Sequence, residues 1–223
     1  MVLFAFPRNA AFERVIPKTK FYERAKPSPA LKSKFVSEIA QVIWSYKLAP
    51  ETINLPGSEG VQELQVFTVT LKSEELDEGV LRAIDRSIPS PILFELQREK
   101  EGRTVAAYKR PSAADASSWV VGEYFQSDWV SLESPRTPLP LSLSLGSLYE
   151  QFLKSIAPLA CRRDEPLAAL IERVTLLRAK RAESRRLAAR MKAEKQFNRK
   201  VELNALLREV DQEIARLSGS GDE

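Results

Sequence analysis

Gln62-Glu63-Leu64-Gln65-Val66-Phe67-Thr68-Val69-Thr70-Leu71-Lys72 is apolar on both of its alternating sets, Leu64 and Val66 on one and Phe67, Val69 and Leu71 on the other. Successive side chains of a strand point to opposite faces, so a Val-, Thr- and Phe-rich segment that is apolar on both reads as a strand central in its sheet. Working outward, Ser73 with Glu74 and Glu75 predicts a helix start. Leu76, Val80, Leu81, Ile84 and Ile88 supply the inward stripe of that helix, which Pro89 and Pro91 end. Ile92–Arg98 and Thr104–Lys109 read as two strands joined by a charged turn containing Gly102, and Trp119–Phe125 as a third. Upstream, Ser28 and Pro29 open a segment reaching Lys47. Its apolar residues Leu31, Phe35, Ile39, Val42, Ile43 and Tyr46 recur at three and four, which predicts one helix stopped by Pro50. The expected fold class is α/β in the α+β sense: a mixed, largely antiparallel sheet with flanking helices.

Gly146 precedes a short helix to about Ala157, with Leu148, Phe152 and Ile156 inward. From Glu165 to Leu217 the only proline is Pro166, glycine is absent, and Ala, Leu, Arg, Lys and Glu dominate, the strongest helix formers. A long C-terminal helical hairpin or coiled coil is therefore expected. Apolar positions step 170, 174, 177 and later 203, 207, 210, 214, 217, while Arg178–Arg186 offers almost no apolar seam. A phase break near Phe197 and Asn198 favours two antiparallel helices, with one helix of about 80 Å as the alternative.

Val2–Pro29 holds four prolines and many basic residues, which suits an extended basic arm pinned by Phe4, Phe6, Phe12, Phe21 and Tyr22. Pro111–Ser118 and Ser131–Ser144 read as loops. The expected division is an arm at 1–29, an α/β core at 30–160, the helical hairpin at 161–217 and a disordered tail at 218–223.

Composition narrows the chemistry. The chain of 223 residues contains no histidine, so every mechanism that needs a histidine base, ligand or triad partner from this chain is excluded. The single Cys161 allows neither an internal disulfide nor a multi-cysteine metal site, and points to a reducing compartment. Met1–Phe6 does not read as a signal peptide and no run is long enough to span a bilayer, so the expected location is the cytoplasm, without a membrane. No Walker A or GxGxxG pattern occurs among the eight glycines, and no cofactor is expected.

Charge is segregated. Residues 1–34 hold eight basic and two acidic residues, residues 35–161 eleven and seventeen, and residues 162–223 fifteen and eleven. Arg178–Lys200 alone contains ten basic and two acidic residues. A polyanion, with nucleic acid first and an acidic protein surface second, is the partner such asymmetry suggests, and the bland alternative is a solvated coiled-coil face. The candidate binding residues are Lys18, Lys20 and Arg24 in the arm. In the helical region they are Arg178, Lys180, Arg181, Arg185, Arg186, Arg190, Lys195, Arg199 and Lys200. The arm's lysines could instead clamp the acidic cluster Glu74, Glu75, Asp77 and Glu78. No catalytic or metal-binding set stands out. The enzyme alternative is a divergent metal nuclease built on Glu63, Lys72, Asp77 and Glu95, which requires the three carboxylates to converge in one cleft. Large aromatics in Tyr124–Trp129 read as a core lid rather than a base-stacking platform.

Several segments together resemble a known family: Pro17-Lys18-Thr19-Lys20-Phe21-Tyr22, then Ile43-Trp44-Ser45-Tyr46-Lys47-Leu48-Ala49-Pro50-Glu51-Thr52-Ile53-Asn54, Ile88-Pro89-Ser90-Pro91-Ile92-Leu93-Phe94, Tyr124–Trp129, Ser147-Leu148-Tyr149-Glu150, and Glu194–Asn204. In this order they resemble an uncharacterised prokaryotic domain-of-unknown-function family, of the DUF4391 type. Its members are often encoded beside helicases and DNA methyltransferases of restriction or phage-defence systems. The resemblance implies a non-catalytic accessory or adaptor subunit of such a module, with DNA, a helicase or a methyltransferase as partner, and brings no catalytic residue with it. Self-association through Glu165–Leu217, giving a homo-oligomer, is the remaining structural alternative.

Overall fold

The computed structural model describes residues 3–112 and 119–219. The chain divides into two units at Ala157/Pro158. In the first, β1 (Phe4–Ala5), a 3-10 turn (Arg8–Ala10), β2 (Ala11–Val15), α1 (Lys18–Ala25), α2 (Pro29–Glu38), β3 (Ile39–Leu48) and α3 (Pro50–Ile53) precede β4 (Leu64–Leu71). There follow α4 (Glu78–Ser87), β5 (Ile92–Arg98), β6 (Glu101–Pro111), β7 (Trp119–Gln126), β8 (Val130–Ser131), β9 (Thr137–Pro138) and α5 (Leu145–Ile156). The second unit contains α6 (Leu167–Ala193) and α7 (Phe197–Ser218).

The main sheet runs β2-β3-β4-β5-β6-β7, with β8 on the end of β6, and β1 pairs separately with β9. Within the main sheet only β4 and β5 are parallel; the other pairs are antiparallel. The fold is thus mixed α/β with a mostly antiparallel open sheet, as expected, and β4 sits near its centre. Both faces of β4 are covered: Phe67, Val69 and Phe94 pack with Phe35, Val80, Leu81 and Ile84 from the helices of one side. On the other side α5 buries Leu145, Leu148, Phe152 and Leu153, and Phe152 meets Phe4 with ring centroids 4.6 Å apart. Each fully buried large apolar side chain contributes about 1.5–3 kcal/mol.

The single helix expected from Pro29 to Lys47 is corrected. It ends at Glu38, and Ile39–Leu48 is a strand paired with β2 and β4. Two register irregularities against β4, between Ile39 and Gln41 and between Trp44 and Tyr46, advance the burial phase. Buried residues therefore recur at Ile39, Val42, Ser45 and Leu48, a spacing of three that imitates a helix. The β-branched and aromatic content of the segment was the opposing signal.

The extended arm is also corrected. Ala11–Val15 is the edge strand of the main sheet and Lys18–Ala25 is a helix that buries Phe21. Lys26, left-handed at φ 45°, closes that helix by donating its backbone N–H to Tyr22. The aromatic pinning survives the correction: Phe4 is buried, Phe6 lies 4.8 Å from Tyr46 and Phe12 lies 4.0 Å from Trp44, centroid to centroid.

Smaller boundaries move too. α4 starts at Glu78 rather than Ser73, because Asp77 Oδ1 accepts the Gly79 N–H and so caps it. The β5–β6 turn falls at Glu99, with φ 45°, and Gly102 lies inside β6, where a Cβ would come 2.7 Å from Leu132. Pro111 ends β6, and residues 113–118 of the expected loop lie outside the described residues, as do 220–223 of the expected tail. Ser218 is helical.

A pair of ionisable groups, Asp85 and Lys109, is deep in the first unit. Asp85 on α4 is 1% exposed, accepts a short hydrogen bond from the Tyr124 hydroxyl and has Lys109 Nζ 3.7 Å away. Burial pushes its carboxyl up to about 6 from 3.8, against the opposing pull of Lys109 and Tyr124. The folded state therefore holds a proton that the unfolded chain releases between those values. Asp85's contribution is fully present below about pH 4 and is lost as pH rises through about 6. Urea titrations of the wild type and Asp85→Asn at pH 4 and pH 7 should show the difference moving by ~3 kcal/mol in favour of the variant at the higher pH. A pH-independent difference would mean that Asp85 titrates as an ordinary carboxylate.

Candidate nucleic-acid interface

α6 and α7 form an antiparallel hairpin, which settles the choice between a hairpin and one long helix. Glu194–Gln196 connect them, and Glu194 Oε1 accepts the backbone N–H groups of Lys195 and Gln196 at 2.8 and 2.9 Å. These bonds hold the Glu194 carboxyl below its usual range, with Arg199 and Lys200 adding to the effect. Leu187, Leu203 and Val210 form the distal seam, backed by Met191, Leu207 and Ile214. Across it Ser184 donates to Asp211 at 2.8 Å and Lys180 pairs with Glu213 at 2.7 Å.

The base of the hairpin is closed by a buried arginine. Arg173 meets both oxygens of Glu165 at 2.8 Å and donates to the carbonyls of Leu217 at 2.9 Å and Ala160 at 2.7 Å. The Arg173 guanidinium holds the Glu165 carboxyl low. Arg173→Met should cost about 3–5 kcal/mol, since removing one partner of a buried pair strands the other charge. Circular dichroism melts and limited proteolysis between 158 and 219 check this, and unaltered protease resistance would assign closure to the apolar seam alone.

The twelve residues expected to bind divide between the two units. Lys18, Lys20 and Arg24 lie on α1 of the first. Lys18 donates to the Ile39 carbonyl at 2.6 Å, and burial followed by repulsion from Lys72 lowers its pKa. Lys20 pairs with Glu23 at 3.3 Å, and Arg24 donates to the Ser87 carbonyl at 3.1 Å. The alternative in which a lysine of the basic segment 14–34 clamps the acidic cluster is met by Lys34, which lies on α2 and pairs with Asp77.

In the second unit Lys180 is occupied by Glu183 and Glu213, while Arg178 is exposed on α6. The other seven, Arg181, Arg185, Arg186, Arg190, Lys195, Arg199 and Lys200, are all exposed. Lys192, not among the residues singled out, joins them; its place in the same basic window was the sequence cue. Among the described residues none of these eight has a carboxylate within salt-bridge distance. Arg178, Arg181, Arg185 and Lys192, at helical spacings of three, four and seven, share one face of α6, so cations recur at nearly every 5.4 Å turn. Past them, Arg190, Lys195 and Arg199 line a concavity at the tip of the hairpin together with Glu194. A closely spaced set of exposed cations on a helix attracts phosphates and releases their counterions.

The carboxylates of the nuclease alternative do not converge. Glu63 is held by Lys47 and Ser90 at the start of β4, Asp77 caps α4, and Glu95 faces Arg136 in a two-pronged ion pair at 2.7 and 2.8 Å. Lys72 donates to the Val36 carbonyl at 2.9 Å. No cluster of three metal-ligating side chains occurs among the described residues.

The model of the family described as Domain of unknown function (DUF4391) matches residues 4–214. The chain belongs to that family. Membership spans both units, from the edge of the sheet to the last turns of the hairpin. No curated protein and no solved structure matches the chain. No helix among the described residues is long and apolar enough to cross a membrane.

Proposed function

We propose that this DUF4391 member is a non-catalytic accessory or adaptor subunit that contacts nucleic acid through the distal half of the α6–α7 hairpin. The carrying observation is the set of eight exposed cations from Arg181 to Lys200 with no carboxylate in salt-bridge distance among the described residues. A solvated helix face would intersperse glutamates to give pairs at three and four. Lys180, just before this set, has that arrangement with Glu183 and Glu213. On the family resemblance, the assembly it serves is a helicase- or methyltransferase-containing DNA-defence module in the cytoplasm. Fluorescence anisotropy against short single- and double-stranded DNA across a salt series tests the first step. Binding that weakens steeply with salt supports it. An absence of binding at low salt moves the basic face to a protein interface, and capture of the neighbouring helicase becomes the expectation.

A self-association reading has one observation of its own. Phe197 and Val201, one turn apart on α7, are 77% and 54% exposed. Light scattering that reports a monomer throughout the micromolar range removes it.

A further inference from the structure

We propose that the first unit carries a second site, a cavity between α1, the sheet and the end of α4 that takes a nucleotide, base inward and phosphate at Arg24. The cavity has a volume of about 390 Å³, within the size range of small-ligand sites. Trp44 and Phe67, paired across β3 and β4, stack on one another at 12° with centroids 6.0 Å apart, and both line the cavity as its aromatic wall. Ile88 and Pro89 from the segment after α4 also line it.

The polar groups are arranged asymmetrically. Burial alone would raise the Glu63 carboxyl, but the Ser90 hydroxyl, Lys47 and the Gln65 amide bring it below its usual range. Glu63 is thus a satisfied part of the wall, held by Ser90 and Lys47. Gln65 also lines the cavity, is 2% exposed, and among the described residues its Oε1 has no hydrogen-bond partner. An unmet buried acceptor is unfavourable, so a ligand that brings an N–H to it recovers that loss. At the rim, Arg24 uses Nη1 on the Ser87 carbonyl and has no carboxylate in salt-bridge distance among the described residues, while Lys20 neutralises Glu23. Arg24 is an exposed cation suited to phosphate.

A flat heterocycle with an N–H, carrying a phosphate, matches all three features. The wall takes the ring face, Gln65 Oε1 accepts the exocyclic amine or ring N–H, and Arg24 takes the anion. The ring could come from a free mononucleotide or from a base of a single strand. The proposal stands on different residues from the hairpin reading, and either can fail alone.

Isothermal titration of the full chain with AMP, CMP, GMP and UMP, with the matching nucleosides, and with a short single-stranded oligonucleotide, tests it. The same titrations use Gln65→Leu, Arg24→Ala and the hairpin variant Arg181→Glu/Arg185→Glu/Arg186→Glu. Saturable binding of a mononucleotide or the oligonucleotide is expected. Gln65→Leu should weaken it about tenfold, the size of one lost hydrogen bond. Arg24→Ala should weaken the nucleotide and leave the matching nucleoside unchanged, and the hairpin variant should keep mononucleotide binding intact. Gln65→Leu removes an unmet acceptor and should not lower the melting temperature. If it does unfold, Arg24→Ala decides. No mononucleotide binding at millimolar concentration, with oligonucleotide binding insensitive to Gln65→Leu and Arg24→Ala, overturns the site. So does affinity that is unchanged in both variants or lost in the hairpin variant.

Discussion

Replacing Lys109 by methionine should destabilise the first unit by about 3–5 kcal/mol, a large share of the ~5–15 kcal/mol that holds a typical domain together. Lys109 is 2% exposed. Its ammonium donates to the carbonyls of Asp85 at 2.6 Å and Ser90 at 3.1 Å, and closely to that of Ile88. It therefore does at the end of α4 what a C-terminal cap does for an isolated helix, from a strand of the sheet. Burial lowers its pKa and Asp85 opposes that shift. Methionine keeps the stem volume but leaves three carbonyls and the Asp85 carboxylate without their shared partner. The loss should shrink from pH 7 to pH 5, because the unpaired Asp85 then takes up a proton and no longer buries a charge. Urea unfolding at both pH values checks the size and the sign. A loss under about 1 kcal/mol would mean that those carbonyls find other donors.

Arg181→Glu/Arg185→Glu/Arg186→Glu should reduce DNA affinity at low salt by about a hundredfold or more and flatten the salt dependence by roughly three contacts. Each reversal removes one phosphate contact and adds one repulsion on α6, two of them on the Arg178–Lys192 face. The fold should persist. All three positions are exposed, glutamate matches arginine as a helix former, and exposed substitutions typically change stability by about 0.5 kcal/mol or less. Anisotropy with wild type and variant at two salt concentrations, beside their thermal melts, gives both readings. Equal affinity would remove the hairpin from nucleic-acid contact. A collapsed melt would mean that these arginines take part in hairpin packing.

The central strand, the helix before Pro89, the three following strands and the basic helical region were legible in the sequence for a shared reason. Each carries a local pattern whose period matches its final burial: two faces on Leu64–Leu71, one stripe on α4, and uninterrupted helix formers from Glu165 onward. The absence of histidine and the isolation of Cys161 likewise belong to the sequence alone. Ile39–Leu48 was misread because two bulges reset its alternation, and a bulge exists only where a partner strand defines it. The arm's strand and helix form only against β3 and α4, so their short, proline-punctuated segments carried no decisive period of their own. Site chemistry divides in the same way. The run of cations was visible as composition, but which of them met a carboxylate depended on how α7 met α6: among the described residues Glu213 came to Lys180 while none came to Arg181, Arg185 or Arg186. Lys109 as the cap of α4 joins residues 19 to 24 positions apart, and Gln65 with its unmet oxygen lines a cavity built from several elements. Only tertiary structure decides such pairs, because the energy of a buried polar group depends on the partners folding brings to it and not on its neighbours in the chain.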